Sequence, residues 1–339
     1  MNVLIVRPDG MGDLVLALPV ATQLRQLIPG VRIGMLANPV AAPILEHHPD
    51  IDYVRTCTVH APTQTMREAF AGGIDAAIFL KPFRRLMWAA WLARVPIRVA
   101  IGFRWQSVLA NRWTHEHRST FAKHESEYNV GMLKGLGLTP GEVRRPQLVV
   151  TERERAAGEQ RWGGDARRRV IIHPGGVSAR RWRPQHYRDL ANLLVEQGCS
   201  VILTGSETER AQFQEEALQA VPLDGRIRNL MGQLSVRDLM GLIAVSQAVV
   251  SGATGPAHLA AALNVPNVSL FDPRRNNLPT RWKPLGLGVL LRPDVPTCEK
   301  CIGEACSYWD CMDRLTVSGL STHVEQVIQS RTPLAIHHI

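Results

Sequence analysis

Asn2-Val-Leu-Ile-Val-Arg7, Pro8-Asp9-Gly10-Met11-Gly12 and Asp13-Leu-Val-Leu-Ala-Leu-Pro-Val-Ala-Thr-Gln-Leu-Arg-Gln-Leu-Ile28 open the chain. The first stretch is a short apolar run closed by an arginine, the pattern of a buried strand. The second, with two glycines, is a turn. In the third, apolar side chains recur at helical spacing until Pro29-Gly30, a helix stop. Further apolar runs follow at 31–37, 75–80 and 98–103. Parallel strands need crossovers and helices supply them, so this order predicts a parallel sheet with helices on both faces.

The second half repeats the grammar. Residues 152–169 are polar and charged and read as a helix plus linker. Then come a strand at 170–173, the turn Pro174-Gly175-Gly176-Val177-Ser178, a helix at 185–197, a strand at 200–205 and a helix at 208–220. A helix at 236–245, a strand at 248–251, a helix at 256–263 and a strand at 267–271 complete it. The expected fold class is α/β, with two Rossmann-like domains facing across a cleft. The expected bounds are 1–152 and 165–339, the second holding a Cys-rich segment at 298–311 and a terminal helix. Ligands of such sheets bind at the carboxyl ends of the strands.

The 339-residue length suits two domains at about 150 residues each. With 45% hydrophobic and 20% charged residues, 27 Gly and 22 Pro, the chain is neither disordered, collagen-like nor a coiled coil. No run approaches the roughly 18 apolar residues that span a bilayer. The first residues lack a basic segment followed by an apolar one, so a cytoplasmic protein is expected. The net charge of +9 favours anionic partners: nucleic acid, phosphorylated small molecules or a membrane surface.

Three turns carry chemistry. In the first, Gly10 and Gly12 let an anion approach the backbone at a helix start, yet the spacing is neither GxGxxG nor a P-loop. Asp13 there reads either as a helix cap or as a carboxylate able to take a proton from a hydroxyl. The second is His173-Pro-Gly175-Gly176-Val-Ser178-Ala-Arg180-Arg181-Trp-Arg183. Glycine N–H groups beside guanidinium charge make a diphosphate cradle, or a solvated basic loop. The third is Ser251-Gly-Ala-Thr254-Gly255-Pro256-Ala-His258. Here the Thr254 hydroxyl and the N–H groups near Gly255 can hold a phosphate, while His258 on an Ala/Leu-rich helix also reads as a half-buried core histidine.

Taken together these segments resemble glycosyltransferase family 9, the ADP-heptose:lipopolysaccharide heptosyltransferases. Arg7 to Pro19 is similar to the family's opening signature, His173-Pro-Gly-Gly with Arg180-Arg181-Trp182 to its second, and residues 251–263 to its third. His124 with Asn129, Gly205 to Glu209 and Arg281-Trp-Lys-Pro284 add to the match. The resemblance implies a GT-B fold and an inverting, metal-independent sugar transfer with no cofactor required. It implies an N-terminal acceptor domain and a C-terminal nucleotide-sugar domain. It assigns the catalytic base to Asp13. Gly12, Gly175, Gly176, Ser178, Arg180 (a lysine in the family), Thr254, Gly255, Pro256 and His258 fall to donor and phosphate binding, with Glu209 on the ribose. Ala253 stands where the family has an aspartate that touches the donor. That departure keeps two alternatives open: another nucleotide sugar, or a binding or scaffolding protein. A dinucleotide oxidoreductase lacks its fingerprint.

Cys298, Cys301, Cys306 and Cys311 form C-x2-C-x4-C-x4-C. The spacing admits a structural Zn or Fe site, reduced thiols or a disulfide. Between Lys81 and Trp113 arginines alternate with Phe83, Trp88, Trp91, Phe103 and Trp105. That pattern suits headgroup-level membrane contact, an amphipathic core helix, or a grip on an acidic glycolipid acceptor by Arg7, Arg84, Arg85 and Arg104. No nucleic-acid motif accompanies it, so nucleic acid is not an expected partner. The expected activity is transfer of a heptose-type sugar from an ADP-sugar to a lipopolysaccharide or related saccharide, at the cytoplasmic face of the inner membrane.

Overall fold

The structure is a computed structural model that describes residues 1–164, 167–176 and 181–339. The chain divides into two compact units, Met1–Val149 and Val150–Ile339.

The first unit holds β1 (Asn2–Arg7), β2 (Arg32–Ala37), β3 (Tyr53–Thr56), β4 (Ala76–Phe79), β5 (Ile97–Ile101) and β6 (Arg112–Thr114). They lie in the order β3-β2-β1-β4-β5-β6 and every pairing is parallel. β1, between β2 and β4, buries five of its six residues, as its unbroken apolar run requires. The following segment is two helices rather than one, Met11–Val15 and Leu18–Leu27. Pro19 has no N–H to continue the first ladder and starts the second helix instead. The break leaves the Leu16 carbonyl to accept from Asn129 at 3.1 Å.

The second unit holds β7 (Arg168–His173), β8 (Cys199–Leu203), β9 (Arg228–Asn229), β10 (Ala248–Gly252), β11 (Asn267–Leu270), β12 (Gly288–Arg292) and β13 (Ala335–His338). Their order is β13-β12-β11-β10-β7-β8-β9, again all parallel. The helix Pro184–Glu196 and the terminal helix Val317–Ser330 pack together over this sheet. Trp182 is fully buried there, edge-on to Tyr187, with its indole N–H on the Leu315 carbonyl at 2.7 Å. Each fully buried large apolar side chain in these cores contributes about 1.5–3 kcal/mol.

The β7–β10 register decides where chemistry can occur. His173, the last residue of β7, pairs with Ser251, next to last in β10. The turns that follow the two strands therefore emerge side by side, although the chain separates them by nearly the width of a domain.

Candidate active site

In the first unit the site is built around Arg7, the last residue of β1. Its side chain is 3% exposed. Its Nε meets Asp9 at 2.9 Å, one Nη meets Glu125 at 3.2 Å, and the other makes a short ion pair with Asp13. Burial alone would lower the guanidinium pKa, but the carboxylates of Asp13, Glu125 and Asp9 outweigh it and raise it. Arg7 is thus a permanent buried cation. Asp13 is not a cap: Gly10 holds the N-cap position, and Asp13 sits in the first turn with its side chain on Arg7. Its side chain stays 29% exposed, so an incoming hydroxyl can reach it.

A second helix locks this arrangement. Glu125–Gly131 starts with a capping box in which His124 accepts from the Ser126 N–H at 3.3 Å and Glu127 accepts from the His124 N–H at 2.7 Å. Glu125 is fully buried and also meets Arg118 at 3.3 Å. Asn129 accepts from Arg118 at 2.9 Å and donates to the Leu16 carbonyl. His124 and Asn129 thus act as scaffolding for the Asp13 segment. Glu125 and Arg118 went unnoticed in the sequence, because no local pattern ties position 7 to positions 118 and 125.

In the second unit the turns after β7 and β10 form one site. A side chain on Gly175 would start 2.0 Å from Glu209 Oε1, and one on Gly176 (φ +140°) 2.6 Å from Thr254 Cγ2. The backbone angle of Gly176 favours glycine, and a side chain on Gly175 would have to push the Glu209 carboxylate aside. Glu209 ties the turn down: Oε1 accepts from the Gly176 N–H at 2.9 Å, and Oε2 accepts from the Ser206 N–H at 2.7 Å and its hydroxyl at 2.9 Å. Burial pushes the Glu209 carboxyl up, but these donors and His173 outweigh it and hold it below the usual range. His173 lies 3.9 Å from Glu209 and 3.1 Å from the Thr204 hydroxyl. Its burial, only partly opposed by Glu209, lowers its pKa, so the ring is neutral at pH 7.

Thr254 is the N-cap of the helix Gly255–Ala262, with Pro256 in the first turn. Its side chain makes no capping bond, and Oγ1 is buried without a partner among the described residues. Orphaned buried hydroxyls are uncommon and call for an explanation. A small hollow lined by Gly175, Gly176, Arg181, Tyr187, Ala253 and Thr254 lies at this point. Backbone N–H groups and the helix dipole favour an anion there. His258 is buried one turn further into the same helix. Ser178 and Arg180 lie outside the described residues.

The remaining candidates stand elsewhere. Gly12 is inside the helix Met11–Val15. Arg84 and Arg85 are exposed on the helix Arg84–Leu92, with Arg85 donating to the Ala61 carbonyl at 2.7 Å, and Arg104 is exposed beyond β5. The structure gives no support to the expected structural Zn or Fe at Cys298, Cys301, Cys306 and Cys311. Among the described residues no three His, Cys, Asp or Glu side chains are placed to hold a metal, and none of the six cysteines forms a disulfide. The thiols line one depression, where Cys311 packs in the core with Met312 and Leu315 and Cys306 Sγ accepts from the Tyr308 N–H at 3.4 Å.

A model of glycosyltransferase family 9 (heptosyltransferase) matches residues 73–307. The chain belongs to glycosyltransferase family 9. It is similar to lipopolysaccharide heptosyltransferase 1 of Escherichia coli K12, 28% identical over 298 residues, or 80% of this chain and 88% of that one. Among solved structures it resembles a family 9 glycosyl transferase from Veillonella parvula (TM-score 0.79, 18% identity, 96% and 97% of the two chains). It also resembles the E. coli ADP-heptose lps heptosyltransferase II (TM-score 0.75, 22% identity, 97% and 98%). The two parallel-sheet α/β units are thus those of the GT-B heptosyltransferases, and the family 9 chain is a glycosyltransferase.

Proposed function

We propose that this family 9 enzyme moves heptose from ADP-heptose to a growing lipopolysaccharide core, with inversion, at the cytoplasmic face of the inner membrane. The observation that carries the reading is the Thr254 hydroxyl, buried beside Gly176 at a helix N-terminus with no partner among the described residues. It suits a phosphate oxygen of the donor. The first unit takes the acceptor and the second the donor.

Asp13, oriented by Arg7, accepts the proton of the acceptor hydroxyl as that oxygen bonds to the anomeric carbon. The bond from that carbon to the diphosphate breaks, and ADP leaves with the electron pair. Gly175, Gly176, Thr254, Gly255 and Arg181 face the charge that develops on the diphosphate, with Ser178 and Arg180 assigned to the same task. Pro256 and His258 shape the helix that carries it. Glu209 retains lone pairs for a ribose hydroxyl while it ties the turn. No step needs a metal.

The test incubates the chain with ADP-heptose and a lipopolysaccharide core acceptor lacking the terminal heptose, and follows ADP release and acceptor mass. A gain of one heptose that Asp13→Asn abolishes supports the reading. Stabilisation by ADP-heptose without ADP release points instead to the binding protein that Ala253 suggested. Turnover of a different nucleotide sugar from a panel relocates the specificity.

A further inference from the structure

The first unit carries an exposed aromatic surface whose tryptophans have no part in the proton transfer or in donor binding. Trp88, Trp91, Phe103, Trp105, Val108 and Trp113 are all exposed, Trp105 at 68% and Val108 at 77%. Half of the eight tryptophans of the chain are therefore here, turned outward instead of into a core. Trp88, Trp91, Trp105 and Val108 come together through packing of the helix Arg84–Leu92 against the short helical turn Trp105–Leu109. Arg84, Trp88 and Trp91 share one face of that helix, at i, i+4 and i+7. Trp88 and Trp91 stack with centroids 4.9 Å apart, and the Arg84 guanidinium lies 5.6 Å from the Trp105 ring. A cavity of about 360 Å³ opens between them, lined by Thr63, Arg85 and Gln106 among others.

The charge along this stretch of chain has one sign, although Lys81 is taken up by Asp9 at 3.1 Å. Residues 76–115 contain Lys81, Arg84, Arg85, Arg94, Arg98, Arg104 and Arg112 and no Asp or Glu. The nearest acid on the neighbouring helix Thr63–Glu68 is Glu68, which accepts from Gln64 at 3.0 Å. Exposed tryptophan costs solvation free energy in water but is favoured at the depth of lipid headgroups, where the ring is apolar and the indole N–H stays wet. Arginines around it meet lipid phosphates. The helix Arg84–Leu92 has nine residues, so it can lie on a bilayer but not cross it. No helix among the described residues is long and apolar enough to cross one. Single-stranded nucleic acid also stacks on tryptophan, but the protruding Val108 offers a base nothing and an acyl chain a contact.

We propose that Trp88, Trp91, Trp105 and Val108, ringed by arginines, dock the enzyme on an anionic phospholipid bilayer. The inference deepens the proposed function, on which it rests for its purpose: it brings the first unit to an acceptor held in a membrane.

The test is flotation of the full chain with vesicles of phosphatidylcholine alone or mixed equally with phosphatidylglycerol. Wild type is expected to float with the anionic vesicles and not the neutral ones, and to be released by high salt. Trp105→Ala with Val108→Ser should lower the partition more than tenfold. Arg84→Gln and Arg104→Gln should each lower it about fivefold. An ADP thermal shift reports on the fold of each variant. Val108→Ser alone, at the most exposed position, serves if the tryptophan variant fails to fold. Absence of flotation with anionic vesicles, or variants that float like wild type, would overturn the proposal. So would tighter binding of a single-stranded oligonucleotide than of the vesicles. None of these readouts needs turnover, so sugar transfer without flotation and flotation without sugar transfer separate the two readings.

Discussion

Arg7 and Glu125 stand 118 positions apart in the chain, and their side chains meet in the interior of the first unit at 3.2 Å. Glu125 is shared with Arg118, and Arg7 with Asp13 and Asp9, so the ion pair links the turn after β1 to the helix Glu125–Gly131. Removing Glu125 leaves Asp9 and Asp13 on Arg7, but it takes a fully buried carboxylate from Arg7 and Arg118 at once, so two poorly solvated guanidinium groups lose an acceptor. Glu125→Ala should therefore destabilise the fold by about 3–5 kcal/mol, as measured by denaturant unfolding. A change below about 1 kcal/mol would mean that water enters and the network is not buried in solution.

Arg7→Lys keeps the charge but not the three-way fork. A lysine ammonium cannot face Asp9, Asp13 and Glu125 with the same geometry. With Asp13 displaced by about 1 Å, kcat should fall about 10²-fold. Nucleotide affinity, which belongs to the second unit, should hold. A matching loss of ADP binding would show that Arg7 acts through the whole fold and not through the base.

Asp13→Asn keeps the side-chain shape and removes the proton acceptor. Transfer should drop by about 10²–10⁴-fold. The melting temperature should change much less than for Glu125→Ala, because Asp13 is 29% exposed and Arg7 keeps two other carboxylates. Full activity in this variant would move the base to another residue.

The parts of the site that were legible are those the chain keeps together. Asn2–Arg7, the glycine turn and Asp13 follow one another, so apolar run, turn residues and helical spacing expose them. The adjacency of Gly176 and Thr254 was not legible, because it depends on β7 pairing with β10 in a crossover sheet. Arg7–Glu125 was hidden for the same reason. Strand β9 has two residues and the exposed edge strand β13 four, too little apolar pattern to notice. The spacing of the four cysteines does not show their burial: Cys311 belongs to the core cluster, while the other three are half-buried. The aromatic run at 83–113 showed its composition, but only the packing of Arg84–Leu92 on Trp105–Leu109 shows which rings face water.

Thr254→Val removes a hydroxyl that has no partner among the described residues, and little else. If that hydroxyl meets a charged phosphate oxygen, the lost bond amounts to about 1.5–3 kcal/mol, or roughly 10- to 150-fold in ADP affinity. The free protein should be no less stable, since the hydroxyl has no protein partner among the described residues to lose. Calorimetric titration with ADP, beside a melting curve without it, reads both. Unchanged affinity would place the diphosphate elsewhere. Gly175→Ala should be the harsher change, because its methyl group would lie 2.0 Å from the Glu209 carboxylate that ties the turn.

The histidines set an acid limit to stability. His173, His48, His186 and His323 all have pKa values held below the usual 6.5, in each case chiefly by burial. The unfolded chain therefore binds protons that the folded chain refuses. Stability is fully present above pH 6.5 and declines as the pH falls below it, until the folded-state pKa of each ring is passed. The slope for one such ring cannot exceed about 1.4 kcal/mol per pH unit. Melting temperature should thus fall between pH 7.5 and pH 5.5, before most carboxylates titrate. His173→Asn should flatten the curve while lowering its upper plateau, since the bond to Thr204 is lost with the ring. A melting temperature constant across that interval would mean that these rings protonate in the folded state as easily as in water.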